Sequence, residues 1–251
     1  MKKVWIAIAA MALMGTPAFA GGHGHGEHAK HWGYEGDVGP AHWGQFSETC
    51  AKGKSQSPIN IETAKVVKKG LQPIEIHYSE AKAVKGKVLN NGHTIKVETE
   101  NGGYIVANGK RFDLLQFHFH SPSENQVDGK PYDMVAHFVH KAKDGQLAVI
   151  AVMFEKGKSN AALRKVWKKM PKEVGESAGY RGLNLNAILP KDRSYYHFTG
   201  SLTTPPCSEN VEWFVLKHPV SIGAKQLSKF HKLYNGNVRP TNPLNGRVVE
   251  E

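Results

Sequence analysis

Two short segments carry side chains whose spacing could build a metal site. Gln116-Phe117-His118-Phe119-His120 alternates polar and aromatic residues. On a strand, successive side chains point to opposite faces, so Gln116, His118 and His120 share one face and the phenylalanines the other. Two imidazoles then enter one space. A third can come from a neighbouring strand, and Val135-Ala136-His137-Phe138-Val139-His140 is short and rich in β-formers. Residues three apart on a strand face opposite ways, so only one of His137 and His140 can join the pair unless a bulge intervenes. Three neutral imidazoles would leave the fourth corner of a tetrahedral zinc site to water, which distinguishes a catalytic site from a structural one whose four corners are all filled by protein. A third segment, Gly175-Glu176-Ser177-Ala178-Gly179, satisfies the Gly-x-Ser-x-Gly pattern of serine hydrolases. Its context is wrong for that chemistry: a nucleophile elbow needs a buried strand before the serine and a helix after it, whereas Lys168 to Glu173 is strongly charged and Gly182 follows soon. It reads as a surface loop.

The elements that must position these residues are mostly strands. From Trp32 onward, short apolar runs are separated by turn signals such as Asn90-Asn91-Gly92, Asn101-Gly102-Gly103, Asn108-Gly109 and Asp144-Gly145, which predicts a β-rich domain. Leu147 to Phe154 is almost wholly apolar and fits a central strand buried on both faces. Helical spacing predicts one helix over Ala161 to Lys169. A second is predicted over Ala224 to Tyr234, with Leu227, Phe230, His231 and Tyr234 recurring behind Ser221 as a cap. Neither carries a reactive cluster, and there is no internal repeat or linker after Trp32.

The N-terminus reads as an export signal. Lys2 and Lys3 precede an apolar run from Val4 to Met14, then Pro17 and the triplet Ala18-Phe19-Ala20, which predicts a signal peptide over residues 1–20 cleaved after Ala20. The run is shorter than the ~20 residues a membrane span needs, so no membrane insertion is expected after cleavage, and the periplasm is the expected location. Residues 21–31 form a glycine- and histidine-rich leader with no apolar periodicity, leaving 32–251 as one domain. Removing residues 1–20 lowers the net charge from +11 to +9, because 31 Lys and Arg then face 22 Asp and Glu. The basic residues, Lys65, Lys68, Lys69, Lys82, Lys85 and Lys87 among them, are scattered without aromatic interleaving, so a solvated basic surface is expected and nucleic acid is not. Two cysteines, Cys50 and Cys207, in an oxidising compartment predict a disulfide. Closing that loop would stabilise by at most about 5 kcal/mol in the chain-entropy model.

The two histidine segments, together with His31-Trp32-Gly33-Tyr34, Gln56-Ser57-Pro58-Ile59-Asn60-Ile61, Asn90-Asn91-Gly92-His93, Gly200-Ser201-Leu202-Thr203-Thr204-Pro205-Pro206-Cys207 and Arg239-Pro240-Thr241-Asn242-Pro243-Leu244, resemble in order the α-class carbonic anhydrases, as found in exported bacterial enzymes. The similarity covers nearly all of the chain after the signal peptide. It implies a single, mainly β domain with short helices on a large, twisted, mostly antiparallel sheet of about ten strands. It also implies zinc-dependent hydration of carbon dioxide to bicarbonate and a proton, by attack of hydroxide generated at the zinc.

By resemblance the zinc ligands are His118, His120 and His137, and His140 is structural. Thr203 resembles the residue that orients the hydroxide, and Glu124 the carboxylate that accepts the Thr203 proton. Thr204 resembles a bicarbonate contact, while Val139, Val149, Leu202, Val211 and Trp213 match the apolar substrate pocket. His93 resembles the proton shuttle, Tyr34 and Asn91 the residues ordering water beside it, and Gln116 the hydrogen-bond partner of His118. Sulfonamide-type and anion inhibitors are implied. The oligomeric state is left open, a homodimer included. The departure is Val135: many relatives carry glutamate there, and valine cannot accept the ring proton of His137, which puts metal tuning and exchange in question. A competing reading is a periplasmic zinc-buffering protein that uses the leader histidines and the inner site without turnover.

Overall fold

The structure is a computed structural model and describes residues 31–251. The expected signal peptide and all of the leader except His31 lie outside the described residues. Strands dominate. They are β1 (Asn60–Ile61), β2 (Glu75–Tyr78), β3 (Lys85–Asn90), β4 (Ile95–Glu100), β5 (Gly103–Ala107), β6 (Lys110–His120) and β7 (Gln126–Val127), followed by β8 (Met134–Lys141), β9 (Leu147–Gly157), β10 (Ser177–Arg181), β11 (Tyr195–Ser201), β12 (Glu209–Leu216) and β13 (Val220–Gly223). Three short α-helices accompany them, α1 (Glu48–Lys52), α2 (Arg164–Lys169) and α3 (Ala224–His231).

Eleven strands form one sheet in the order β10-β3-β4-β6-β8-β9-β12-β11, with β13 beside β9 and the β2–β5 pair beside β6. The sheet is mixed. Its pairs are antiparallel except where β9 runs parallel to both β12 and β13. The expected central strand is there: all eight residues from Leu147 to Phe154 sit in β9, and Ala148 to Phe154 are buried throughout. An apolar run with no polar phase can only be satisfied by cover on both faces.

That cover divides into two clusters, and strand parity explains the division. Phe117, Phe119, Ala136, Phe138, Ile150 and Val152 join the larger cluster, whose helical cover includes Trp167 of α2 and Leu227 and Phe230 of α3. Val135, Val139, Val149, Ala151, Val211 and Trp213 join the smaller one, on the face that carries the histidines. On β6 the alternation is not continuous. Leu114 pairs with His140 and Gln116 with Val139, so Leu115 is an extra residue bulged out of the ladder, and it is 44% exposed. The bulge changes the phase of the strand. Phe112 and Leu114 upstream therefore reach the same large cluster as Phe117 and Phe119 downstream.

Both expected helices form with shifted ends. The first begins at Arg164, because the Asn160 side chain accepts the Leu163 amide at 3.1 Å and holds the preceding residues in a turn. The second starts at Ala224 as expected but ends at His231, short of Tyr234; Ser221 lies in β13 and is no cap, and Gln226 Oε1 accepts the Gly223 amide at 3.1 Å instead. Ser177 of the Gly-x-Ser-x-Gly segment opens strand β10 and is exposed, so neither half of a nucleophile elbow surrounds it. The disulfide joins Cys50 of α1 to Cys207, with Cα atoms 5.1 Å apart. No described helix is long and apolar enough to cross a membrane.

Candidate metal centre

His118 and His120 stand two apart on β6, and β8 sets His137 directly opposite His118 in the ladder. The three rings offer ligand nitrogens that lie within 4.8 Å of one another. His140, one parity step away, points to the other face, where its Nε2 meets the Tyr78 hydroxyl at 2.9 Å. The strand-parity argument therefore resolves in favour of His137, without a bulge in β8.

Outer hydrogen bonds decide which nitrogen of each ring faces the centre. His118 Nδ1 pairs with Gln116 Oε1 at 2.9 Å, and His120 Nδ1 donates to the Asn237 carbonyl at 2.7 Å, leaving Nε2 free on both rings. His137 presents Nδ1, which lies 3.8 Å from Glu124 Oε2, the same oxygen that stands 3.4 Å from His120 Nε2. Burial, and then the neighbouring imidazoles, hold the His118 and His137 pKa values well below the usual histidine range. Both rings are therefore neutral at pH 7 and have lone pairs to give.

The donor set fits a zinc ion on a structural ground. His120 Nε2, His137 Nδ1 and Glu124 Oε2 are buried polar atoms converging on one region, and none has a hydrogen-bond partner among the described residues. Such atoms are normally satisfied, so three together call for a cation. His137 Nε2, on the far side of its ring, is also buried and unpartnered. Val135, two residues back on the same face, is fully buried in the smaller apolar cluster and offers no acceptor.

Around this centre the sequence-derived residues assemble on several elements. Glu124 is held by the Arg239 amide, which donates to Oε1 at 3.0 Å. Burial raises the Glu124 pKa, against the opposing effects of His120, the Thr203 hydroxyl and Arg239. Thr203 is buried in the loop after β11, and this loop is tied back by Cys207 N to Thr204 O at 2.8 Å and Leu202 N to Ser208 O at 2.9 Å. Thr204 is half-buried beside it. Val139, Val149, Val211 and Trp213 are buried, with half-buried Leu202 packed on them, in one apolar wall. Trp213 also sets its ring edge-on to His137, 4.9 Å between centroids.

His93 sits on the turn between β3 and β4, its backbone fixed by Asn91 Oδ1, which accepts the amides of His93 at 3.0 Å and Thr94 at 2.9 Å. The Asn91 acceptor is thereby used within the turn. The buried Tyr34 hydroxyl has no partner among the described residues, and burial raises its pKa well above the usual tyrosine value, with help from the Glu124 charge. Sequence reasoning missed several supporting residues. Arg239 lies in a segment already singled out, but its contact is a backbone amide, which no side-chain pattern encodes. Asn237 anchors the site through its carbonyl on His120 and its side chain on Ser121 N and Phe119 O, with no local signal at all. The stacking of Trp32 on His93, 3.6 Å between centroids and 6° between planes, was likewise unforeseen.

Comparison with known proteins agrees with this geometry. The family model for eukaryotic-type carbonic anhydrase matches residues 38–251. A carbonic anhydrase of Klebsiella pneumoniae is 45% identical over 98% of this chain and 97% of its own length, and one of Neisseria gonorrhoeae 43% identical over 97% and 96%. The solved α-carbonic anhydrase of Thermovibrio ammonificans, in complex with sulfanilamide, superposes with a TM-score of 0.84 at 48% identity, covering 88% of this chain and 99% of that one. A hyperthermostable carbonic anhydrase from a hydrothermal vent chimney gives 0.83 at 45% identity over 88% and 99%. With its mixed eleven-stranded sheet, its three converging imidazoles and a match that runs almost end to end, the chain belongs to the α-carbonic anhydrase family of enzymes.

Proposed function

We propose that the chain catalyses the reversible hydration of carbon dioxide to bicarbonate and a proton above His118, His120 and His137. The observation that carries this reading is the convergence of buried nitrogens with no partner among the described residues, beside a wall of apolar side chains. His118 and His120 are held in one tautomer by Gln116 and Asn237, so each keeps its free Nε2 turned inward. A zinc ion held by the three rings would supply hydroxide near neutral pH, because zinc lowers the pKa of water to about 7.

Thr203 orients the nucleophile. Its hydroxyl donates to the Glu124 carboxylate, which leaves the Thr203 oxygen to accept a hydrogen bond from the attacking hydroxide and turns a lone pair toward the substrate. Glu124 serves this role because the Arg239 amide fixes it and its burial excludes competing water. Val139, Val149, Leu202, Val211 and Trp213 receive carbon dioxide, a linear, uncharged molecule that asks little of polar groups. Thr204 and the Thr203 amide contact bicarbonate, and the same donors accept anion inhibitors. The sulfanilamide complex of the Thermovibrio ammonificans relative supports sulfonamide binding here. His93 carries the product proton outward along water ordered by Tyr34 and Asn91. Export through a signal peptide at 1–20, with residence in the periplasm, is supported by the leader pattern and by the disulfide.

Stopped-flow hydration before and after chelation, with zinc stoichiometry, tests the reading. His118→Asn abolishes hydration, whereas deletion of residues 21–30 leaves it intact. Activity that depends on the deleted histidines would favour zinc buffering instead.

A further inference from the structure

The fold gathers basic residues that lie scattered in the sequence onto one layer. Helix α2 turns Val166 and Trp167 inward, which leaves Arg164, Lys165, Lys168 and Lys169 exposed. Helix α3 buries Leu227 and Phe230, while Lys225 and Lys229, four apart, share an exposed side. The two helices are locked side by side. The Trp167 indole N–H donates to the Gln226 carbonyl at 2.9 Å, and the Lys229 ammonium donates to the Trp167 carbonyl. The Gln226 side chain accepts the Asn160 amide at 2.7 Å and donates to the Asn160 carbonyl at 3.0 Å. A cavity of about 330 Å³ opens along this seam, with Arg164, Lys168 and Lys229 among its lining residues and no carboxylate.

Acidic residues are missing from this layer. No Asp or Glu occurs in residues 156–172 or 213–249, the stretches that supply both helices and their approaches. None of the six cations forms an ion pair among the described residues. Lys165 and Lys229 reach only backbone carbonyls, which leaves their charge uncompensated. Elsewhere lysines are paired, as Lys65 is with Glu62, Lys85 with Glu100 and Lys110 with Asp144. Uncompensated like charges on one face add their fields and attract an anionic partner. The layer also lies on the far side of the sheet from the metal centre. Trp167 and Phe230 both meet Phe119 edge-on, at 5.0 and 6.2 Å between centroids, and Phe119 points away from the face that His118 and His120 share.

The make-up of the layer selects among anionic partners. A protein partner asks for an apolar centre inside a polar rim, and single-stranded nucleic acid asks for exposed aromatic rings on which bases stack. Trp167, Leu227 and Phe230 are buried, so the layer offers neither. A bilayer surface rich in anionic headgroups asks only for clustered Lys and Arg. We propose that the face formed by α2 and α3 docks the chain on an anionic lipid surface, with Arg164, Lys168 and Lys229 at the seam receiving a headgroup phosphate and Lys165, Lys169 and Lys225 flanking it. The histidine face then stays turned to solvent, and the metal centre works beside a bilayer that uncharged carbon dioxide crosses. Docking of this kind is peripheral, without insertion, and is independent of what the metal centre does.

Flotation of the mature enzyme with vesicles tests the docking. The enzyme floats with an equal mixture of phosphatidylcholine and phosphatidylglycerol, stays behind with phosphatidylcholine alone, and is released as salt shortens the Debye length from ~30 Å at 0.01 M to ~8 Å at 0.15 M. Each cation near such a surface is worth about fivefold in partitioning. Combining Arg164→Gln, Lys168→Gln, Lys169→Gln and Lys225→Gln therefore weakens binding by on the order of 10²–10³-fold, while circular dichroism and zinc stoichiometry stay as in the parent because all four side chains are exposed. A control that removes the same charge elsewhere, Lys65→Gln, Lys82→Gln, Lys87→Gln and Lys143→Gln together, loses only a small part of that. Equal losses in the two variants would reduce the effect to net charge and overturn the assignment to this face. Equal binding to both kinds of vesicle, or no binding to the mixed vesicles at low salt, would overturn the lipid surface as partner; retention on duplex DNA without vesicle binding would overturn it in favour of a phosphate polymer.

Discussion

Replacing Val135 with glutamate tests how far the metal centre depends on the far side of one ring. His137 Nε2 is buried and unpartnered among the described residues, while the corresponding outer nitrogens of His118 and His120 are bound at 2.9 and 2.7 Å. A buried N–H left without an acceptor costs about 1–3 kcal/mol, and outer-shell partners of metal ligands are worth ~10–100-fold in metal affinity, or about 1.4–2.7 kcal/mol. Val135→Glu supplies the missing acceptor from the same strand face. It also puts a carboxylate among Ile59, Ile61 and Met153, which offer nothing to pair with it when the metal is absent. The two states should therefore respond in opposite directions: zinc release to a chromogenic chelator slows by ~10–100-fold, while the zinc-free protein melts at a lower temperature than the parent. Val135→Gln, an acceptor without charge, separates the hydrogen bond from the carboxylate and should slow release with less damage to the zinc-free form. Zinc release from folded Val135→Glu and Val135→Gln at the parent rate would refute the reasoning.

His140 makes the zinc-free protein acid-labile. Burial lowers its pKa from 6.5 to about 4, so the unfolded chain binds the proton more readily; the stability it contributes is complete above pH 6.5 and drains away as pH falls toward 4. The shift corresponds to about 3 kcal/mol, and urea unfolding across that interval should show a shallower pH slope in His140→Gln, which keeps a polar partner for Tyr78. Breaking the disulfide, by Cys50→Ser with Cys207→Ser, should cost about 2–5 kcal/mol in denaturant titrations. The loss should carry thermal activity with it, because Cys207 closes the loop that holds Thr203.

What the sequence made legible followed from periodicity. The two-residue repeat of Gln116, His118 and His120 put three polar groups on one face, and the three-residue step from His137 to His140 let only one of those two join them, the choice of His137 coming from the family resemblance. The bulge at Leu115 was legible only in hindsight. Phe112 and Leu114 fall on even positions and Phe117 and Phe119 on odd ones, a change of phase that two adjacent leucines disguise. Contacts made by backbone atoms were out of reach, as with the Arg239 amide on Glu124 and the Asn237 carbonyl on His120. The start of α2 moved because the Asn160 side chain takes the Leu163 amide, while Gln226, 66 positions on, takes the Asn160 amide in a contact that no local window contains. The His31–His93 contact spans 62 positions, and only folding of the intervening strands brings the two rings together.

The looped-out leucine has a practical consequence. It sits where the neighbour of β6 changes from β5, ending at Asp113, to β4, beginning at Gln116. Slack in the chain is thus stored at a seam, outside both ladders. A chain shortened by that one leucine would still alternate in step on either side, so a linker or spectroscopic label grafted there would report from beside His118 and His120 without turning them.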